Sequence, residues 1–319
     1  MFKFSKKTSL GIKAVVSLAF VFWLVYKVEW HDVLEHVRHV QVRYLVLYAA
    51  FVLLGMAVSA KKWQIIARFK GFQRPLFGCF RAYLTGTFIN NFLPGFIGGD
   101  MFRAYWLGKQ REGYTLAVST VVFDRLSGLF AAAMLAIGFS LTRYDAMVQS
   151  SIWTFLVVVL MALLAVTVFW GMVWRNLGDI AVVQGIVRFL PVKLQTFLGE
   201  VRHYFRAEIL LPTMALSLIF NIAGVGIANL ILFRAFGQNI PVTDFFAVIF
   251  IVNIVASIPV SINNIGIKEW AYFTFFPLVF VSPEVAITVA ITGRFVQMLI
   301  SFFALPDFLR RKHIGAESS

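Results

Sequence analysis

An all-α, polytopic transmembrane helix bundle with two interrupted helical hairpins is the fold this sequence predicts, on three observations. Of its 319 residues, 60% are hydrophobic, and the mean hydropathy is +0.82, whereas soluble domains use roughly 45–50% apolar residues. Six apolar runs are long enough, at about 20 residues, to cross a ~30 Å hydrocarbon core. Two further apolar regions are each broken in the middle by Asn, Pro and Gly. No hydrophilic stretch approaches the size of a folded domain, so residues 1–319 read as a single integral membrane domain.

The first run, 10–28, follows the basic segment Met1 to Lys7 and so mimics a signal peptide. It ends in Tyr26-Lys27-Val28-Glu29 without a small-residue cleavage site, which predicts an uncleaved span. The other continuous runs are 43–60, 115–141, 152–174, 209–236 and 284–305. The first interrupted region, 77–108, contains Asn90-Asn91-Phe92-Leu93-Pro94-Gly95-Phe96-Ile97-Gly98-Gly99-Asp100. The second, 242–281, contains Ile258-Pro259-Val260-Ser261-Ile262-Asn263-Asn264-Ile265-Gly266. Proline removes a helical donor and glycine is a poor helix former, so each region predicts a half-helix, a turn and a second half-helix.

Basic residues orient the bundle. Lys3, Lys6 and Lys7 precede the first span, and Lys61, Lys62, Arg68, Lys70, Arg74 and Arg81 follow the second with no acid between them. Both places are expected to be cytoplasmic. If the first hairpin enters and leaves from that side, Arg175 to Arg206 are also inside. Arg310, Arg311 and Lys312 are then inside only if the second hairpin enters from the opposite face. The expectation is a bacterial inner-membrane protein with cytoplasmic N- and C-termini and two inverted re-entrant segments. An internal echo agrees: Asp100 precedes Arg125 by 25 residues and Glu269 precedes Arg294 by 25. Inverted repeats with discontinuous helices recur in secondary transporters, with the binding site near the midplane.

Ionisable side chains within spans are costly, roughly 2.5–3.5 kcal/mol each on insertion scales. Asp100, Arg103, Asp124, Arg125, Lys268, Glu269 and Arg294 all lie in apolar segments or at their mouths. Mutual neutralisation that fixes helix packing is the structural reading. The functional reading is a polar cavity in which Arg103, Arg125, Lys268 and Arg294 bind an anionic headgroup and the acids orient them. Arginine suits phosphate because its planar fork binds bidentately. A half-helix beginning at Gly98-Gly99-Asp100 would aim a positive dipole end inward, or Asp100 could cap it. Asn90, Asn91, Asn263 and Asn264 flank the breaks and can satisfy released backbone groups. Gly98, Gly99 and Gly266 allow close backbone approach, for packing or for a ligand. Asn221, Asn229, Asn253 and Gln297 are expected to bond between helices.

Several chemistries lack support. The single cysteine, Cys79, excludes an intrachain disulfide and a cysteine metal cluster. The five histidines fall in loops or tails; Glu35, His36 and His39 have helical spacing but read as solvated residues, so no metal or other cofactor is expected. Walker, zincin and dinucleotide motifs are missing, and Ser127, Ser257 and Ser261 have no histidine at membrane depth to activate them. The excess of 29 basic over 15 acidic residues reads as positive-inside loops meeting anionic lipid at the cytoplasmic face, not as nucleic-acid binding.

The sequence resembles the lysylphosphatidylglycerol synthase transmembrane-region family of flippase-like proteins. The resemblance rests on Asn91-Phe92-Leu93-Pro94-Gly95-Phe96-Ile97-Gly98-Gly99-Asp100-Met101-Phe102-Arg103, then Phe123-Asp124-Arg125-Leu126, then Ile258-Pro259 through Gly266-Ile267-Lys268-Glu269. It departs from the family pattern at Asp124, where glutamate is expected, and at Asn263-Asn264, where small residues are usual. The resemblance implies movement of an amphipathic lipid between leaflets. A counterpart of the family's cytosolic synthase domain is not seen, so synthesis of an aminoacylated lipid is not expected.

The leading expectation is a lipid flippase for an anionic or polyprenyl-linked lipid, not an enzyme. One alternative is an accessory membrane subunit that seats a glycosyltransferase or lipid synthase through the segment from Lys61 to Arg81. Another is a membrane-embedded lipid-modifying transferase using Asp100, Asp124 or Glu269 as base or metal ligand.

Overall fold

The computed structural model describes residues 40–92, 98–110, 113–142, 151–177, 199–200, 203–258 and 261–306, with a few isolated positions between 18 and 38. Among the described residues all regular structure is helical. The elements are α1 (Val42–Phe69), α2 (Leu76–Phe92), α3 (Gly99–Gly108), α4 (Tyr114–Leu141), α5 (Ser151–Leu177), α6 (Ala207–Ile219), α7 (Ala228–Ala235), α8 (Val242–Ala256), α9 (Ile267–Phe275) and α10 (Pro283–Ser301). A π-helical segment, Phe220–Ile227, joins α6 to α7 into one continuous rod. Among the described residues, four helices are long and apolar enough to span a bilayer: α1, α4, the α6–α7 rod and α10 with its 3-10 extension. The protein is a helical membrane bundle.

Most of the described run boundaries match the helices within a few residues. The clearest correction is at the end of the second span. The second run was expected to end at residue 60, yet α1 continues through Lys61 and Lys62 to Phe69. A helix of 28 residues is about 42 Å long, so α1 is longer than a ~30 Å core. Ser59, Trp63 and Ile66 continue one buried face past the two lysines, and Lys62 lies on that face. Most of the first span 10–28, the terminal basic clusters, His36, His39, Pro94 and Pro259 fall outside the described residues.

Both interrupted regions are pairs of half-helices. In the first, α2 and α3 touch where Gly86 meets Gly99: a Cβ on Gly99 would stand 2.0 Å from the Gly86 carbonyl oxygen. Gly86 lies six residues before the end of α2 and Gly99 is the first residue of α3, so the chain doubles back across the break. In the second, Asn263, Asn264 and Gly266 all have positive φ (49°, 56° and 85°). Asparagine is among the few residues that tolerate this left-handed backbone, which explains two asparagines where small residues are usual.

Packing follows residue size. Ala60, Ala82, Ala104 and Ala117, one from each of α1 to α4, share a buried cluster with Trp63, Phe72 and Leu107; small residues let helix backbones approach where no hydrophobic drive exists between them. The larger core lies between α1, α4, α7, α8, α9 and α10. Aromatic rings fill it: Phe233 lies 4.3 Å from Phe276 and 5.3 Å from Phe245, centroid to centroid. The rod also crosses α1 closely, with Gly55 against Gly224.

Candidate functional site

The predicted charges assemble into two clusters, one at each break. In the first, Arg125 of α4 grips Asp100 of α3 through two parallel bonds, Nε to Oδ2 at 2.9 Å and Nη2 to Oδ1 at 2.9 Å. Asp100 stands in the first turn of α3, where the dipole favours an anion. It does not cap the helix, because the N-cap is Gly98 without a side-chain bond. The pair is half-open, with 56% of the Arg125 side chain and 41% of that of Asp100 exposed.

Directly behind it lies a closed cluster around Asp124. Arg103 of α3 bonds Asp124 Oδ2 through Nη2 at 2.8 Å, and the Tyr83 hydroxyl of α2 donates to the same oxygen. Lys62 of α1 places Nζ 3.1 Å from Asp124 Oδ1. It also donates to the Asp124 carbonyl at 2.8 Å and to Ser217 Oγ of α6 at 3.2 Å. The guanidinium of Arg103 lies 4.0 Å from the Tyr83 ring centroid and 4.8 Å from that of Trp63, so aromatic faces clamp the cation. Lys62, Arg103 and Asp124 are all nearly inaccessible.

Arg103 links the two parts. Its Nε is 3.9 Å from Asp100 Oδ1, too long for a hydrogen bond, and that buried Nε has no partner among the described residues. The exposed pair and the buried cluster therefore share one arginine with a spare donor.

At the second break the arrangement repeats in part. Arg294 of α10 bonds Glu269 Oε1 through Nε at 2.8 Å. Its two terminal nitrogens donate to the carbonyls of Asn263 and Asn264, at 3.0 and 3.1 Å. The left-handed turn presents those carbonyls to the arginine. Glu269 caps its own helix by accepting the Gly266 N–H at 2.8 Å. Arg125 and Arg294 each occupy the twelfth position of their helices, counted from Tyr114 and Pro283, and each pairs with the acid 25 residues before it. Lys268 is not drawn into it: its Nζ lies 5.7 Å from the Tyr272 ring, and no acid among the described residues pairs with it.

Of the four asparagines at the breaks, Asn90 bonds a released backbone group, whereas Asn91 and Asn263 bond side chains. Asn90 Oδ1 accepts the Gly99 N–H at 2.6 Å, closing the start of α3. Asn91 accepts a bond from the Asn263 amide at 3.2 Å and donates to Ser301 at 3.2 Å, so the two breaks are in contact. Of the other polar residues, Asn221 reaches the Gly128 carbonyl, Asn229 accepts from Tyr272, and Gln297 donates to Tyr48, each between helices.

Sequence reasoning missed Lys62, Tyr83 and Trp63. The usable signal was the unbroken helical face from Ser59 through Trp63 to Ile66, which a hydropathy threshold ends at the first lysine pair. Lys70 is likewise engaged, with Glu200 at 2.5 Å and 4.6 Å over the Tyr204 ring. Burial raises the pKa of Tyr204, which keeps that hydroxyl protonated.

Comparison with known proteins agrees with this architecture. A membrane protein of the UPF0104 group from Methanothermobacter thermautotrophicus is 25% identical over 326 aligned residues, covering 94% of this chain and 92% of that protein. Another from Methanocaldococcus jannaschii is 28% identical over 123 residues, 38% of this chain, and the match spans 37% of that relative's length. Residues 11–304 match the family described as the lysylphosphatidylglycerol synthase TM region. With nearly its whole length matched, the chain belongs to the lysylphosphatidylglycerol synthase transmembrane-region family.

Proposed function

We propose that the protein is a lipid flippase or transporter of the plasma membrane, with cytoplasmic termini, that moves an anionic or polyprenyl-linked lipid headgroup past the contact between the two breaks. The carrying observation is the half-open Arg125–Asp100 pair beside a closed, charge-rich cluster. The two clusters hold four cations, Lys62, Arg103, Arg125 and Arg294, against three acids, Asp100, Asp124 and Glu269. That excess favours an anion, and an exposed bidentate fork is suited to a phosphate.

The 3.9 Å gap between Asp100 and Arg103 supports an exchange of partners. A phosphate oxygen pair takes the place of Asp100 on Arg125, and the released Asp100 carboxylate closes the 3.9 Å gap to Arg103 Nε. The headgroup thereby crosses without leaving either Arg125 or Asp100 unpaired. The lipid tail stays in the bilayer throughout.

The test is leaflet exchange of dithionite-reducible phospholipids and polyprenyl phosphates in liposomes containing the purified protein. Exchange of one anionic class, lost in Arg125→Ala, is the expected result. Well-folded protein that moves no lipid overturns the reading.

A further inference from the structure

Away from both breaks, the turn between α1 and α2 holds a half-open recess of about 470 Å³ lined by Arg68, Gly71, Gln73, Arg74 and Pro75. The geometry points to this recess as a separate binding site for the phosphate of an anionic phospholipid, distinct from the charge clusters and independent of the transport reading.

The recess is built by the end of α1. Gly71 takes a left-handed backbone, φ 83°, and the Gly71 and Phe72 amides bond back to the carbonyls of Arg68 and Ala67 at 2.9 and 3.0 Å. This glycine stop turns the chain sharply and leaves Arg68 exposed on the last turn. Arg74 is held on the opposite wall: Nη2 donates to the Trp106 carbonyl at 3.1 Å, and the guanidinium lies 4.4 Å over the Trp106 ring. Gln64 fixes the Arg74 backbone by donating to its carbonyl at 2.8 Å. One arginine is thus free to meet a ligand and the other is fixed in place. No acid lines the recess, and none lies in the first turn of α2, whose unpaired N–H groups begin at the same turn.

A lipid fits better than a free anion because apolar surface continues from the recess. Leu76 and Phe77, the first residues of α2, are 42% and 68% exposed. Exposed apolar side chains beside two arginines are the arrangement expected of a basic pocket that takes an anionic lipid at a membrane face.

The experiment is native mass spectrometry of the detergent-purified full chain with dioleoylphosphatidylglycerol, dioleoylphosphatidylcholine or inorganic phosphate. It is done in the Arg125→Ala background, so that binding at the central cluster does not contribute. The expected result is one retained phosphatidylglycerol, favoured over phosphatidylcholine, and a fall of at least fivefold in the bound fraction in Arg68→Gln/Arg74→Gln. The single variant Arg68→Gln, which touches no described partner, shows a smaller fall and guards against misfolding of the double variant. Arg43→Gln removes the same charge from the far end of α1, about 37 Å away, and leaves binding unchanged. Equal loss in Arg43→Gln reveals diffuse attraction and overturns the site. Inorganic phosphate that displaces the lipid at similar concentration also overturns it, by making the recess a free-anion site.

Discussion

Asn263 and Asn91 meet side chain to side chain at 3.2 Å, and through them the two interrupted segments, 172 residues apart in sequence, form one junction. Asn90 on one side ties down the start of α3, and the carbonyls of Asn263 and Asn264 on the other hold Arg294. The Gly99 N–H and the Asn263 and Asn264 carbonyls are thus partnered from within, as a bilayer interior demands. Asn91→Ala should leave the fold in place and change the rate of lipid exchange, which parallel liposome assays and thermal melts of the same preparation would show. A melt that falls as far as the exchange rate would instead make the bridge purely structural.

Arg125 and Arg103 should separate function from stability. The half-exposed Arg125–Asp100 pair contributes at most about 1 kcal/mol, as surface pairs do, so Arg125→Ala should abolish exchange with little change in the melting of detergent-solubilised protein. Removing Arg103 leaves Asp124 buried with one cation fewer, a change that costs about 3–5 kcal/mol in comparable sites. Arg103→Gln should therefore lower the melting temperature sharply.

Lys62 makes a related prediction. It is nearly inaccessible and pairs with Asp124 at 3.1 Å, so Lys62→Met should destabilise the protein much as Arg103→Gln does. The neighbouring Lys61, which is exposed, should tolerate the same change. Equal melting of Lys61→Met and Lys62→Met would return Lys62 to the role of a loop charge.

Two glycines should respond to alanine with opposite sign. At Gly99 the new Cβ has no room before the Gly86 carbonyl, and Gly99→Ala should force α2 and α3 apart at a cost of about 1–3 kcal/mol. Gly138 in α4 has nothing within 4 Å, and Gly138→Ala should stabilise its helix by about 0.5–1 kcal/mol. Thermal melts of the two variants check both.

Asn263 can be split into its backbone and side-chain roles. With φ at 49°, Asn263→Val places a β-branched residue in the left-handed region, at about 1–2 kcal/mol, and also loses the bridge. Asn263→Gly keeps the turn and loses only the bridge to Asn91. Melting should fall in the first and hold in the second, while exchange changes in both.

The apolar runs, the two breaks and the spacing of Asp100–Arg125 and Glu269–Arg294 were legible in the amino-acid order, because a bilayer imposes span length and penalises every unpaired charge. Those are properties of composition and period, and they need no knowledge of neighbours. Partnership needed the tertiary structure. Asp124 could have paired with any nearby cation, and only the packing of α1 against α4 brings Lys62 to it, while Lys268 stays beside Tyr272. Lys62 looked like the start of a loop because hydropathy is summed along the chain, whereas burial depends on what lies across from it. The contact between Asn91 and Asn263 is of the same kind: no local pattern encodes it, since two distant turns meet only when the helices that carry them pack.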